Sequence, residues 1–423
     1  MKLFSNKNII RVFEHQKLFF GEGGCFAEKH WKALSRYNEK YKNRYFTVLH
    51  NGIKFSNYVG VIQAGNLTIE ILPKIDKANL DSDTEKKKWH NILLQLLQEC
   101  NLLKIENAEK ANLKLKVKSI LDIYVELFLN EVEILLHRGL IKKYKCNAEN
   151  ITTLKGRINF PKHFSVNMLH KEKFYVQHLI YDRQNVYNQV IKEALLIIPS
   201  LISNPFLINR LGKILLEFPE LSRLAISADS FRKIKYDRKS VCYKEAIEIA
   251  KMLLLNYRPD ITGGTNDVIA ILFDMNELWE EYIFRKLQKA ANGNVKVRRQ
   301  QMQRFWKMND STYSKTIRPD IVIDKGDETI VLDTKWKLIS DFTPTDDDLK
   351  QMFVYNLFWK CKHGVLLYPA IEYQRRSGTY FRFQQQMFEE TNCLVATCNV
   401  LNEKSMLDKA IGVKILNDIV FSL

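Results

Sequence analysis

The sequence predicts an α+β chain of several domains: a small β-rich domain over residues 1–80, a mainly helical region over 81–264, and an α/β domain with a mixed sheet flanked by helices over 265–423. Three observations carry this. Short apolar runs separated by Asn-Gly and Gly-Asn turns fill the first eighty residues, and helical periodicity dominates from Trp89 to Leu140 and again over 181–257. From Leu272 to Pro369 a helix, strands, an acidic hairpin, a second helix and a short apolar strand follow in order.

In the first region, residues 45–49 (YFTVL), 58–62 (YVGVI) and 67–72 read as strands, and the alternation of Leu67, Ile69 and Ile71 points to a small β-rich domain. Residues 76–88 are polar and charge-dense, a linker composition. The run ILDIYVELFLNEVEILL over 120–136 is apolar enough to pack as a helix on a neighbour. Residues 142–155 return to polar and turn-forming types and predict a projecting loop, and the later helices are expected to break near Pro199 and Pro205.

The chemistry concentrates in the C-terminal region. After Arg318-Pro319-Asp320, the run Ile321-Val322-Ile323 predicts a strand, 324–328 (DKGDE) a turn, and 329–332 (TIVL) a second strand leading into Asp333-Thr334-Lys335. Side chains alternate along a strand, so Asp333 and Lys335 share a face, and hairpin pairing brings Asp320 beside Asp333. Two carboxylates and an ammonium gathered this way suit Mg2+, which takes hard oxygen ligands from one or two carboxylates and from phosphate. An isolated D…DxK match is more often a solvated hairpin, and the flanking elements change that balance. Upstream, residues 272–287 read as a helix with Leu278, Tyr282 and Ile283 on its apolar face, which leaves Glu277, Glu280 and Glu281 as candidates to reach the metal. Downstream, residues 346–360 read as a helix whose three leading aspartates favour the helix dipole, with Gln351 and Tyr355 four apart on one face. Residues 363–369 close the region as a buried strand.

Taken together, LFDMNELWEEYI, RPDIVI, VLDTKWK and DDLKQMFVYNLFWKCKHGVLLYP, with LTIEILPKI at 67–75, GRI at 156–158 and YDRQNVYNQVIK at 181–192, resemble the McrC family, the nuclease subunit of McrBC-type restriction systems. The resemblance runs over most of the chain in family order. It implies a PD-(D/E)XK restriction-endonuclease-like domain with Asp320, Asp333 and Lys335 in the catalytic positions, Glu280 as the helical acid, and Mg2+ held by Asp320, Asp333 and Glu280. Gln351 and Tyr355 are similar to a QxxxY element that supports the site. The family resemblance further implies a partner, a McrB-like AAA+ GTPase hexamer that binds GTP and recognises modified, methylcytosine-containing double-stranded DNA. No GxxxxGK[ST] phosphate loop occurs in this sequence, so the GTP is expected on the partner. Lys155 and Arg157, in LKGRI, are the residues singled out for the partner.

Charge agrees with a nucleic-acid substrate: 65 Lys and Arg against 48 Asp and Glu leave a formal +17, although a lysine-rich proteome produces the same excess. Between Arg285 and Lys307 basic residues interleave with Phe305 and Trp306, and Arg298, Arg299 and Arg304 are the expected phosphate contacts. Val295 and Val297 alternate with Lys296 and Arg298, a strand with one basic face. A second RPD triplet at Arg258-Pro259-Asp260 leads into TGGT with no following DxK and reads as a loop boundary. Seven scattered cysteines without metal spacing, no apolar run of membrane length and no signal-type N-terminus predict reduced thiols and a cytoplasmic location, with no membrane and no zinc. Two other readings fit the same residues: a nuclease working with another motor or on another nucleic acid, and a non-cleaving adaptor of an AAA+ ring that retains the fold as a platform.

Overall fold

The computed structural model describes residues 8–21, 25–74, 82–103, 119–258, 268–293, 295–310, 312–339, 341–381 and 387–422. The second RPD triplet, from Pro259 onward, and the start of the charged stretch at 76–81 lie outside the described residues. The chain divides into two compact units interleaved in sequence, one of residues 1–7, 63–66 and 121–271, the other of 8–62, 67–120 and 272–423. The N-terminal strands and the acidic hairpin, 250 or so residues apart on the chain, therefore belong to one unit.

That unit begins with β1 (Asn8–Phe13), β2 (Lys17–Phe19), α1 (Glu28–Lys40), β3 (Phe46–Leu49), β4 (Gly52–Phe55), β5 (Tyr58–Ala64), β6 (Leu67–Leu72) and α2 (Asp83–Glu99). Strands β2, β4 and β3 form a small antiparallel sheet, while β6 lies between a parallel β1 and β5. Every residue of β6 is buried, so both of its faces are covered. Glu70, mid-strand, is buried with its charge satisfied. Its Oε2 accepts from Arg11 Nε at 2.8 Å and lies 3.2 Å from His90 Nδ1 on α2, and its Oε1 accepts from Ile120 N at 3.0 Å. Burial raises the Glu70 pKa, and His90, Arg11 and the Ile120 amide outweigh it and hold it below the usual carboxylate range. The charge-dense stretch read as a linker is helical from Asp83 onward, where Asp83 and Glu85 complement the helix dipole.

The other unit holds α3 (Ile120–Arg138), β7 (Lys143–Ile151), β8 (Arg157–Ile158), α4 (Phe160–Asn167), β9 (Phe174–Asp182), α5 (Val186–Leu201), α6 (Pro205–Glu217), α7 (Ala228–Arg232), α8 (Lys244–Asn256) and β10 (Tyr257–Arg258). β11 (Val268–Asp274) runs out of this unit and into the other. The projecting loop expected at 142–155 is mostly strand: β7 pairs antiparallel with β9 over its whole length, and β8 covers the far edge of β9. The ladder satisfies the backbone while polar side chains stay wet, a combination that composition alone reads as loop. Pro199 sits in the last turn of α5 without ending it, and Pro205 opens α6 at a position whose N–H has no helical partner.

The first unit resumes with α9 (Met275–Ala290), β12 (Val295–Arg299), β13 (Gln303–Lys307), β14 (Ser314–Ile317), β15 (Ile321–Lys325), β16 (Glu328–Thr334), α10 (Asp346–Trp359), β17 (His363–Ala370), β18 (Gln374–Phe381), β19 (Met387–Asn399) and α11 (Ile411–Ile415). A mixed sheet has the order β12–β15–β16–β17–β19–β18, with β16, β17 and β19 parallel and the other pairs antiparallel. Helix α10 is the crossover between the parallel β16 and β17 and packs Met352, Tyr355 and Trp359 on Val322, Val331 and Leu366 of the sheet. The approach is close enough that a Cβ on Gly364 would stand 2.3 Å from Asn356 Oδ1 and 2.5 Å from Met352 Sδ, so glycine is required there. Among the described residues no helix is long and apolar enough to cross a membrane.

Candidate functional site

The hairpin β15–β16 positions the two aspartates. Ile321 pairs with Leu332 and Lys325 with Glu328, so the turn is only Gly326-Asp327, with Gly326 at φ +61°, and Asp320 falls opposite Asp333 at the open end. Asp320 Oδ2 accepts from both the backbone N (2.8 Å) and Oγ1 (2.9 Å) of Thr334, which fixes the carboxylate against its neighbour strand. Asp333 is buried, at 2% exposure, and the Lys335 ammonium lies 2.8 Å from its Oδ2 as an ion pair. Burial, then the facing charge of Asp333, pushes the Asp320 pKa up to about 6. Asp333 is raised as well, by burial first and by Asp348 and Glu280 beyond it, with Lys335 opposing. Two carboxylates strained in this way favour a cation or a proton between them.

Lys335 continues β16 by donating its backbone N–H to Leu367 O at 2.9 Å. Its Nζ donates to Gln351 Oε1 at 3.0 Å; Gln351 Nε2 donates to the Tyr355 hydroxyl at 2.7 Å, and Tyr355 donates to Arg318 O at 2.9 Å. A chain of hydrogen bonds thus ties the lysine to the backbone two residues before Asp320. Burial lowers the Lys335 pKa, but Asp333, Asp348 and Asp320 more than offset it and keep the ammonium charged. The i, i+4 face of α10 read from the sequence is therefore the face that meets Lys335.

Of the three candidate glutamates on α9, Glu277 is exposed, and Glu281 is ion-paired to Arg285 and Arg299. Glu280 is buried, and after burial itself the charge of Asp320 is what raises its pKa most. Its Oε1 accepts from Arg299 Nε at 3.0 Å and from Gln300 Nε2 at 2.7 Å, while Gln300 N donates to Asp320 O at 3.0 Å. The helix acid and the hairpin acid are thus bridged by one residue, Gln300. Among the described residues no three His, Cys, Asp or Glu side chains are gathered into a metal cage. The donor set is two facing carboxylates with one acid beyond them, which fits an ion that keeps several waters and substrate oxygens.

Other sequence-predicted residues lie in different settings. Arg298 is ion-paired to Asp324 and Arg299 to Glu280 and Glu281, whereas Arg304 is exposed on β13. Lys155 and Arg157 are exposed at the end of the β7–β9 sheet; Gly156 between them has φ +74° and a Cβ there would stand 2.5 Å from Gln177 O, so the glycine of the GR pair is a turn requirement. Sequence reasoning missed Asp348, which pairs with Lys337, stands 3.7 Å from Lys335 Nζ and accepts from Tyr368 at 3.1 Å. The signal was available, because Asp348, Gln351 and Tyr355 share one helical face. Thr334 and Gln300 were missed without such a signal.

Fold and site together are those of a multidomain α+β protein carrying a buried acidic pair and a charged lysine on a mixed sheet. The family model for McrBC 5-methylcytosine restriction system components matches residues 53–369, and the chain belongs to that family. It is similar in fold to a chain in the tetradecameric assembly of Thermococcus gammatolerans McrB AAA+ hexamers with bound McrC, with a TM-score of 0.70 at 18% identity over 97% of this chain and 100% of that one. A chain of the Thermococcus gammatolerans McrBC complex aligns with a TM-score of 0.53 at 18% identity, over 67% of this chain and 88% of that one. No curated protein matches the sequence.

Proposed function

We propose that this chain is the nuclease component of a McrBC-like restriction complex, with a PD-(D/E)XK active site that hydrolyses phosphodiester bonds of modified, methylcytosine-containing DNA. The observation that carries the reading is the convergence of Asp320, Asp333 and Lys335, with the buried Asp333 Oδ2 2.8 Å from the Lys335 ammonium. Asp320 and Asp333 fit Mg2+ through hard oxygen donors, and Glu280 stands behind them as a further carboxylate. When bound, such an ion polarises the scissile phosphate and lowers the pKa of a coordinated water. Thr334 holds Asp320 in place for that task, and Gln351 with Tyr355 holds the Lys335 ammonium, which is charged and so acts by stabilising negative charge at the phosphate. Arg304, and Arg298 and Arg299 once exchanged from their carboxylates, are the proposed phosphate contacts.

The partner follows from the family and from the assembly of the similar chain with McrB hexamers. A McrB-type AAA+ ring would hold the GTP and read the modified base, and the cytoplasm is the compartment this implies. The surface proposed to meet it is the end of the β7–β9 sheet with Lys155 and Arg157, where Leu154, Phe160, Phe164, Met168 and Leu169 are exposed. The test pairs the unsubstituted chain and Asp333→Ala with the ring partner on methylated and unmethylated plasmids, with Mg2+ and GTP or ATP. Cleavage by the unsubstituted chain alone, dependent on GTP and methylation, supports the nuclease. No cleavage by either, with a nucleotide-hydrolysing ring recovered from both, leaves an adaptor. Arg157→Ala is expected to reduce stimulation of the ring's GTPase with the fold intact; an unchanged rate removes Arg157 from the partner surface.

A further inference from the structure

The β13–β14 hairpin stands out from the mixed sheet as a two-stranded piece of its own. From Arg304 to Lys307 on β13 every residue is exposed, and on β14 Lys315 and Thr316 are exposed too, while Gln303, Ser314 and Ile317 are half-buried. A two-stranded hairpin is marginal in water, and a cluster of exposed aromatic side chains on one marks an interaction site. Phe305, Trp306 and Tyr313 are each about half exposed, at 49%, 47% and 49%. A β-bulge between Arg304 and Trp306 takes Phe305 out of the ladder, and its ring meets Phe358 of α10 at 5.8 Å between centroids, which roots the hairpin. Trp306 and Tyr313 lie edge to face at 6.3 Å further out.

Charge and position identify the occupant. Residues 303–317 carry Arg304, Lys307 and Lys315 against one carboxylate, Asp310, and none of the three cations forms an ion pair among the described residues. Lys315 Nζ lies 5.3 Å from the Tyr313 ring centroid, so cation and aromatic faces are presented together. The hairpin springs from the candidate site itself: its two ends reach Gln300, which donates to Glu280, and Asp320, and Gln300 N donates to Asp320 O at 3.0 Å. A polyanion with planar groups, held at the phosphate that the site would cut, matches both features.

We propose that this hairpin is a base-stacking element: Trp306 and Tyr313 pack on bases of the DNA beside the cut while Arg304, Lys307 and Lys315 take its phosphates. The inference rests on the nuclease reading and adds to it a contact with bases rather than with phosphates alone. Stacking on an aromatic side chain is largely indifferent to sequence and to salt, whereas phosphate contacts release counterions.

The test measures binding of the full chain, alone and assembled with its ring partner, to a short synthetic duplex carrying 2-aminopurine, in EDTA so that no cutting occurs. W306A with Y313A is expected to lose about tenfold or more in affinity and to abolish the change in 2-aminopurine fluorescence, with the salt dependence unchanged. W306F with Y313F restores both. R304A with K307A and K315A is expected instead to flatten the salt dependence, by a slope of about three. Undiminished affinity and fluorescence in W306A with Y313A overturns the inference, and so does a loss confined to assembly with the ring, which makes the hairpin a protein contact. If, with Mg2+ in place of EDTA, the unsubstituted chain assembled with its ring partner cuts DNA while W306A with Y313A binds and cuts equally well, the stacking inference falls and the nuclease reading stands. If the unsubstituted chain neither binds nor cuts, both fall.

Discussion

Lys335 keeps its proton because three carboxylates surround it, and that decides what it can do: a charged ammonium stabilises anionic oxygen and does not act as a base. Lys335→Ala is expected to reduce cleavage by about 10²–10³-fold, the scale of losing one positioned electrostatic contact, with little change in the melting temperature. Equal cleavage by the variant would remove Lys335 from the chemistry. Asp320 and Asp333 carry the opposite consequence. Both are raised above the usual carboxylate range, Asp320 to about 6, so below that pH a proton occupies the position a metal ion needs. Mg2+ affinity, followed by calorimetry, is therefore expected to fall as pH drops through about 6 and to level off above it. Affinity flat from acid to neutral pH would contradict the pairing of these carboxylates. At this scale the sequence was informative where neighbours on the chain are neighbours in space. Asp320, Asp333 and Lys335 lie on one hairpin, and Gln351 and Tyr355 one helical turn apart. Gln300, which joins Glu280 to Asp320, makes its contacts 20 residues away and carries no local mark.

The elements that hold this site depend on close approach. Helix α10 lies so near β17 that Gly364→Ala would press a methyl into Asn356 and Met352, and a loss of about 1–3 kcal/mol in stability is expected from denaturant melts, as for an overpacked core. A variant as stable as the original would mean that α10 can back away. At the end of β1, Glu14 is buried and accepts from Trp336 Nε1 at 2.7 Å and from Lys74 N at 2.8 Å, which ties the residue after Lys335 to the first strand. Burial pushes the Glu14 pKa up to about 7, in spite of those donors. The folded state thus holds a proton that the unfolded state releases near 4.5, so stability is greatest below that value and falls as pH rises towards 7. Glu14→Gln is expected to remove that fall, about 3 kcal/mol between pH 4.5 and 8, and a pH-stability profile unchanged by the substitution would refute it. Strand β6 shows the same limit on sequence reading: Leu67, Ile69 and Ile71 announced the strand, but only burial from both sides explains why Glu70 between them is also inside.

Across the molecule the excess of 65 basic over 48 acidic residues predicts that the proposed binding to DNA is electrostatic to a large extent. Affinity for unmodified duplex is expected to fall linearly in log–log terms as salt rises, and a salt-independent affinity would show that the charge serves another purpose. The local vocabulary of this protein was written in its sequence. Period-two runs, helical faces and a D…DxK spacing are short-range patterns, and backbone geometry fixes what they form, although the turn read over 324–328 narrows to Gly326-Asp327 because Asp324, Lys325 and Glu328 join the ladder. Which elements share a core was decided by folding. Residues 8–62, 67–120 and 272–423 build one unit, and Glu14 reaches Trp336 across 322 positions. Burial and electrostatics act through space, so the raised carboxylates, the charged lysine and the open face of the β13–β14 hairpin exist only once distant segments have packed.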